Sequence, residues 1–351
     1  LHTAHIYDDM KNAGDYGLRT GELGVDFPKV HKRKTIIVRK LSKGIEYLMK
    51  KRKIDVFTGM GTLVDGNTVK ITGADGEETI KGGAIIIATG SAPSQLPNIV
   101  PDHETILNSD DILKLETIPK SLAVIGAGAV GVEFASIFNS FGSDVSVIEL
   151  LPQIVPLEDV EISKTLEKSF NKKGIQTFTG SQVKAIENRA GGAVLQIDTD
   201  GKTEEMKAEK VLLSVGRKPL TESIGLELAG VGVDDKGYIE VNEFMQTSLP
   251  HVYAIGDIVR TPWLAHVASA EGILAANHIA GKHPEPIDYK KTPNCTYCDP
   301  EVASVGLTET AAKEAGYDVR TGRFPFSAIG KAMIVGNTEG FVKIVSDKKY
   351  D

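Results

Sequence analysis

Three glycines, Gly126, Gly128 and Gly131, punctuate the stretch LAVIGAGAVGVEFA between an apolar run and a helix-like segment. Their spacing suits one task. The first glycine permits a tight turn, the second lets backbone approach a pyrophosphate, and the third allows a helix to pack closely on a strand. Phosphates then rest against the free N–H groups at the helix start. Glu149 follows Gly131 by 18 residues, at the end of the next apolar run. An acid there accepts hydrogen bonds from a ribose 2′-OH and repels a 2′-phosphate, and the LLPQ that follows offers no Arg to receive one. The pattern therefore predicts NAD rather than NADP. Glu133, one turn into the helix, has two readings: a solvated acid favoured by the helix dipole, or a carboxylate reaching the nicotinamide end of the nucleotide.

Other residues invite chemistry. Asp257 closes the apolar run YAIGD, and an acid at a strand's carboxyl end is placed for a ribose or ribityl hydroxyl. Capping the next element is the competing reading. Cys295-Thr-Tyr-Cys298 has redox or zinc spacing, but no second pair or nearby His completes four ligands. His283-Pro-Glu285 echoes a His–acid pair inside a Pro-rich connector, and a loop is expected there.

The elements that must carry these residues follow from periodicity. Residues 28–53 read as a long helix with Pro28 in its first turn and apolar Val30, Ile37, Leu41, Ile45, Leu48 and Met49. Its basic residues, from Lys32 to Lys53, are expected to be a solvated face rather than a nucleic-acid or lipid patch. A β-meander is predicted over 54–90, punctuated by Asp65-Gly66 and Asp75-Gly76. Ser109 is the expected N-cap of DDILKL. A helix near 159–172, strands across 175–215, strands near 238–241 and 251–256, and a helix over about 265–280 complete the reading. From Tyr289 the pattern is strand, helix, strand.

The glycine turn comes late. AIIIATGSAP (84–93) and KVLLSVGRKP (210–219) align without a gap, Gly90 on Gly216 and Pro93 on Pro219. Gly126 precedes Gly216 by 90 residues, and the same spacing before Gly90 falls ahead of residue 1. The expectation is one complete dinucleotide unit and the tail of another.

Composition sets the class. The 351 residues are 41% hydrophobic and 25% charged with 36 Gly, ordinary for two or three globular domains. A net charge of -7 argues against nucleic acid or an anionic membrane as partner. No apolar run is long enough for a membrane span, no signal peptide opens the chain, and two Cys suit a reducing compartment.

Together IIIATGSAP, VIGAGAVGVEFA, SVGRKP, YAIGDIV…PWLAHVASAEG and PEVASVGLTE resemble the flavin-dependent pyridine nucleotide–disulfide oxidoreductases over essentially the whole chain. LAHVASAEG and Glu149 resemble the members acting on dihydrolipoyl groups more than glutathione or mercuric reductases. The resemblance implies an α/β fold with two Rossmann-like three-layer domains, the NAD domain inserted into the FAD domain, and a truncated α+β interface domain. The implied boundaries are 1–118 and 246–288 for FAD, 119–245 for NAD and 289–351 for the interface. FAD would be held by Gly61, Thr89, Gly90, Ser91, Asp257, Leu264, Ala265 and His266. NAD would contact Gly126, Gly128, Val130, Gly131, Glu133, Glu149, Val183 and Gly216. The implied activity is relay of electrons from dihydrolipoyl thiols through an enzyme disulfide and FAD to NAD⁺. The implied partners are a second copy of the chain and the lipoyl domains of 2-oxoacid dehydrogenase complexes, in a bacterial cytoplasm or a mitochondrial matrix.

The family's first FAD fingerprint, its redox Cys pair and its catalytic His–Glu pair are not among residues 1–351. The chain as written is therefore expected to be a fragment without turnover, with no catalytic residue beyond a supporting Glu133. A sister disulfide reductase and a non-catalytic NAD-binding remnant are the alternative readings.

Overall fold

A computed structural model describes residues 1–350. The residues group into two compact units, both discontinuous in sequence. One comprises Leu1–Thr35, Pro93–Gly216 and Pro293–Asp351; the other comprises Ile36–Ala92 and Arg217–Thr292.

The first unit is built on a five-stranded parallel sheet. Its order is Ile106–Leu107, Lys210–Leu213, Ser121–Ile125, Asp144–Ile148 and Gln176–Phe178. Side chains alternate across a strand, so Ser121–Ile125 feeds two cores. Leu122 and Val124 face Val132, Ala135 and Phe138 of the helix Ala129–Ser140, and Leu166 and Phe170 of the helix Val160–Lys172. Ala123 and Ile125 face Val183, Leu195 and Ile197 of a three-stranded antiparallel sheet, Ser181–Arg189, Gly192–Thr199 and Lys202–Ala208. Helices, parallel sheet and antiparallel sheet make the three layers. Phe27, Cys298 and Val302 join the helix-side core from outside the 93–216 segment.

Residues 293–350 add a hairpin of Asn294–Thr296 with Val302–Ser304, the short helix Glu309–Glu314, and an antiparallel pair, Val319–Pro325 with Phe341–Asp347. This is the expected strand–helix–strand order. Lys343 on the last strand is half-buried and bonds Asp159, the N-cap of the helix Val160–Lys172, and Glu309.

The second unit holds the antiparallel sheet Met60–Leu63, Thr68–Gly73 and Gly76–Lys81, and a parallel pair, Ile85–Ile87 with Val252–Ala254. Leu63, Ile87, Ile224, Leu226, Ile239, Val252, Ala254 and Ile258 form its core. Residues 217–245, read as the end of the NAD domain, contribute Ile224, Leu226, Val231 and Ile239 to this core.

Several local expectations are corrected. The N-cap of the helix Ser109–Ile112 is Asn108, not Ser109. Asn108 lies three residues before Asp111, so the two side chains bond each other's backbone reciprocally, which Ser109 cannot do from one position along. Residues 238–241 make only an isolated bridge, Ile239 with Val233. The long helix runs Phe27–Arg52, and beyond Phe27 its apolar Ile37, Leu41, Ile45 and Leu48 are exposed along with its basic residues. Among the described residues no helix is long and apolar enough to cross a membrane.

Candidate nucleotide-binding sites

Each predicted nucleotide set falls within one unit. The eight residues expected at NAD lie in the first, and the eight expected at FAD lie in the second.

In the first unit the strand Ser121–Ile125 delivers the chain into Gly126, whose φ is +97°. A Cβ on Gly126 would stand 2.5 Å from the Ser214 carbonyl oxygen, and one on Gly131 would stand 1.9 Å from the Gly126 carbonyl oxygen. Both glycines are compelled by backbone packing. Gly128, at the helix N-cap, differs: nothing lies within 4 Å of where its Cβ would be. Its role is to leave open the space before the helix start, where first-turn N–H groups lack intrahelical partners. That cradle fits a pyrophosphate. The Ser214 hydroxyl supports the turn from the neighbouring strand, within 2.9 Å of the Ile125 carbonyl oxygen and 2.8 Å of the Gly126 carbonyl oxygen.

Glu149 is buried at the end of Asp144–Ile148. Its Oε2 accepts the Ala127 amide at 2.6 Å and its Oε1 accepts the Leu151 amide at 2.9 Å. The carboxylate thus closes the glycine turn, with lone pairs left for a ribose hydroxyl. Val130 is partly exposed in the first helical turn, and Gly216, at φ +104°, ends the segment after Lys210–Leu213. Val183 has its side chain in the core, beside a register shift between Val183 and Ala185. Glu133 is not a solvated cap. It is half-buried, and its Oε1 accepts the Tyr297 amide at 2.8 Å. One turn further along, the Ser136 hydroxyl accepts the Asp299 amide at 3.0 Å.

In the second unit the Thr89 hydroxyl donates to the Leu220 carbonyl at 2.6 Å, and Gly90, at φ +73°, turns the chain. Ser91 then donates from Oγ to Asp257 Oδ2 at 2.5 Å. Asp257 sits in the turn after Val252–Ala254, and among the described residues its Oδ1 has no hydrogen bond from the chain, an acceptor suited to a sugar-alcohol hydroxyl. Leu264 is the N-cap of the helix Ala265–Ile279, with Ala265 and His266 in its first turn. Gly61 lies on a different sheet, opposite Ile71, and no hydrogen bond among the described residues joins it to Ser91 or Asp257.

Two supports escaped the sequence reading. Arg217 donates from Nε to Ser91 Oγ at 2.7 Å and from Nη2 to the Ser91 carbonyl at 2.8 Å. Glu271, fully buried, accepts the Gly256 amide at 2.7 Å and the Tyr289 hydroxyl at 2.9 Å. Burial, and then the Glu271 carboxylate, raise the Tyr289 phenol above its ordinary value, so it remains a donor. Their only signals were an arginine inside the repeated SVGRKP and an acid on an otherwise apolar helix face.

The cysteines divide as their surroundings dictate. Cys295 is exposed, while Cys298 is buried, its thiol pushed up to about 12 by burial and then by Glu133. No group of three or more metal-ligating side chains occurs among the described residues. His283 and Glu285 lie in a connector without helix or strand.

Residues 4–272 match the family described as pyridine nucleotide-disulphide oxidoreductase, and residues 292–351 match its dimerisation domain. The chain is 43% identical to the dihydrolipoyl dehydrogenase of Bacillus subtilis over 362 residues, spanning 100% of this chain and 76% of that protein. It is 41% identical to the Zymomonas mobilis dihydrolipoyl dehydrogenase, spanning 99% of this chain and 75% of that one. Among solved structures, LpdA from Mycobacterium tuberculosis superposes with a TM-score of 0.91 at 26% identity, covering 99% of this chain and 76% of that one. The HOCl-induced flavoprotein disulfide reductase RclA from Escherichia coli does so with a TM-score of 0.84 at 25% identity, covering 99% and 75%.

Proposed function

Because the chain belongs to the pyridine nucleotide-disulphide oxidoreductase family, we propose that it is a flavoprotein dehydrogenase that reoxidises dihydrolipoyl groups with NAD⁺. The observation that carries this reading is identity of 43% to a dihydrolipoyl dehydrogenase across the full chain. Bound FAD supplies the two-electron acceptor between thiols and nicotinamide. The chain's own residues do the holding. The Gly126–Gly131 turn and its helix start receive the pyrophosphate of NAD, and Glu149 orients the turn and accepts from the ribose. Thr89, Gly90 and Ser91, with Asp257 and the helix start at Leu264–His266, receive FAD. Glu271 and Tyr289 keep the Asp257 turn in place.

Residues 292–351 carry the dimerisation domain, and the functional species is a homodimer. Its macromolecular partners are lipoyl domains of 2-oxoacid dehydrogenase complexes, in a bacterial cytoplasm or a mitochondrial matrix. The only cysteines among residues 1–351 are Cys295 and Cys298, and neither is placed as the redox pair.

The test is a cofactor titration followed by an activity assay. The protein purified from its source is expected to carry FAD, to prefer NADH to NADPH and to form NADH from dihydrolipoamide. A source protein that binds NADH but no flavin overturns the reading, and a preference for NADPH transfers it to a sister disulfide reductase.

A further inference from the structure

We infer that Arg217 is a positioning residue of the flavin site, holding Ser91 so that Asp257 presents its Oδ1 to the flavin. The inference rests on the flavin reading of this unit proposed above. It starts from a chain of three side chains from three parts of the sequence. The Arg217 guanidinium grips Ser91 twice, Nε on the hydroxyl oxygen at 2.7 Å and Nη2 on the carbonyl oxygen at 2.8 Å. The Ser91 hydroxyl, with its oxygen occupied by Arg217, has its single proton directed to Asp257 Oδ2 at 2.5 Å.

Each link has a consequence. A serine hydroxyl is a free rotor that can donate or accept. With an arginine N–H on its oxygen, it is left as a donor, and the only acceptor given to it is Asp257. The carboxylate is thereby pinned by one oxygen, and the other keeps a fixed direction. A group that binds a ligand hydroxyl through one oxygen gains when that oxygen is held in place before binding. Gly90, at φ +73°, sets the chain direction immediately before Ser91, and Thr89 anchors it to the Leu220 carbonyl. The other side of the Asp257 turn is fixed by Glu271 through the Gly256 amide.

The two-pronged grip separates arginine from a simple cation. Lysine would supply the charge but not the fork that takes a hydroxyl and a carbonyl of one residue together. If Arg217 served only as positive charge for the phosphates of FAD, lysine would suffice.

The experiment compares Arg217→Lys, Arg217→Met, Ser91→Ala and the double variant Arg217→Met/Ser91→Ala. Apoprotein is titrated with FAD, visible circular dichroism of bound flavin is recorded, and NADH binding reports on the other unit. Both Arg217 variants and Ser91→Ala are expected to weaken FAD binding by about tenfold or more, with an altered flavin dichroism and NADH affinity unchanged. The double variant is expected to lose less than the sum of the two single losses, because one prong of Arg217 acts through the Ser91 hydroxyl while the other, on the Ser91 carbonyl, remains in Ser91→Ala. Should Arg217→Met fail to fold, Arg217→Lys and Ser91→Ala carry the comparison. Wild-type affinity in Arg217→Lys overturns the inference, as does an additive loss in the double variant. Wild-type protein that binds NADH but no FAD overturns the flavin reading and this inference with it.

Discussion

The Glu149 carboxylate and the Ala127 amide are hydrogen-bonded at 2.6 Å, joining the end of one parallel strand to the glycine turn that follows its neighbour. The acid that sequence spacing assigns to a ribose is therefore also a structural part of the glycine turn. A simple exchange of nucleotide preference by substitution at this position conflicts with that second duty.

Replacing Glu149 by Ala leaves the buried Ala127 amide without its acceptor, a loss of roughly 1–3 kcal/mol. NADH affinity is expected to fall about tenfold or more, with no compensating gain for NADPH. Glu149→Gln is expected to behave similarly, since its NH₂ must face one of the two amides that both oxygens now accept. Fluorescence titration with both nucleotides decides it. Gain of NADPH binding at unchanged melting temperature would show that the carboxylate does not hold the turn.

Gly128→Ala and Gly131→Ala should fail in different ways. The Gly131 Cβ would meet backbone at 1.9 Å, so the helix must shift. Overpacking of that kind costs about 1–3 kcal/mol or more, and a lowered melting temperature is expected without any nucleotide present. The Gly128 Cβ has open space around it. That variant is expected to melt like the wild type while losing NADH affinity, because the methyl fills the space proposed for the phosphates.

Cys295 should react with iodoacetamide in the native protein and Cys298 should not. Cys298 is buried, and its thiol is pushed up to about 12, so the thiolate is scarce at neutral pH. Peptide mass mapping is expected to show Cys295 alkylated in buffer and both Cys295 and Cys298 alkylated in denaturant. Rapid double labelling under native conditions would contradict the buried position.

The Lys343 cluster makes acid stability testable. Hydrogen bonds from Lys313 and then Lys343 hold the Glu309 carboxyl down from 4.5 to about 2. For Asp159, burial alone acts upward, but Lys343 and the Glu161 and Glu309 amides outweigh it and lower the value. A carboxyl depressed by folding contributes fully above its unfolded value and loses that contribution as pH falls through its folded one. Denaturation midpoints are thus expected to drop between pH of about 4.5 and about 2, and less steeply in Glu309→Gln. Lys343→Met, which removes the cation Asp159 and Glu309 share while leaving Lys313 on Glu309, is expected to lower the urea midpoint at neutral pH. Urea denaturation across that range measures both.

The glycine turn was readable from sequence because everything that makes it is local: a strand, three glycines at set spacing, a helix and an acid-terminated strand within 28 residues. The same holds for the helix Ala265–Ile279 and for the repeat that pairs Gly90 with Gly216, where both residues adopt positive φ. The choice between Asn108 and Ser109 was not readable from cap preference alone. Both suit a cap, and register with Asp111 decided it.

The kind of local unit and the residue types at its turns are written in the chain locally, since backbone sterics and hydrophobic period act over a few residues. Tertiary structure alone decided which polar groups meet. Arg217 reaches Ser91 across 126 positions, Ser91 reaches Asp257 across 166, and Glu133 takes the Tyr297 amide across 164. No periodicity encodes such pairings. They exist because packing of distant strands and helices strips water from these groups, and a donor or acceptor so stripped must find its partner in whatever part of the chain the fold brings beside it.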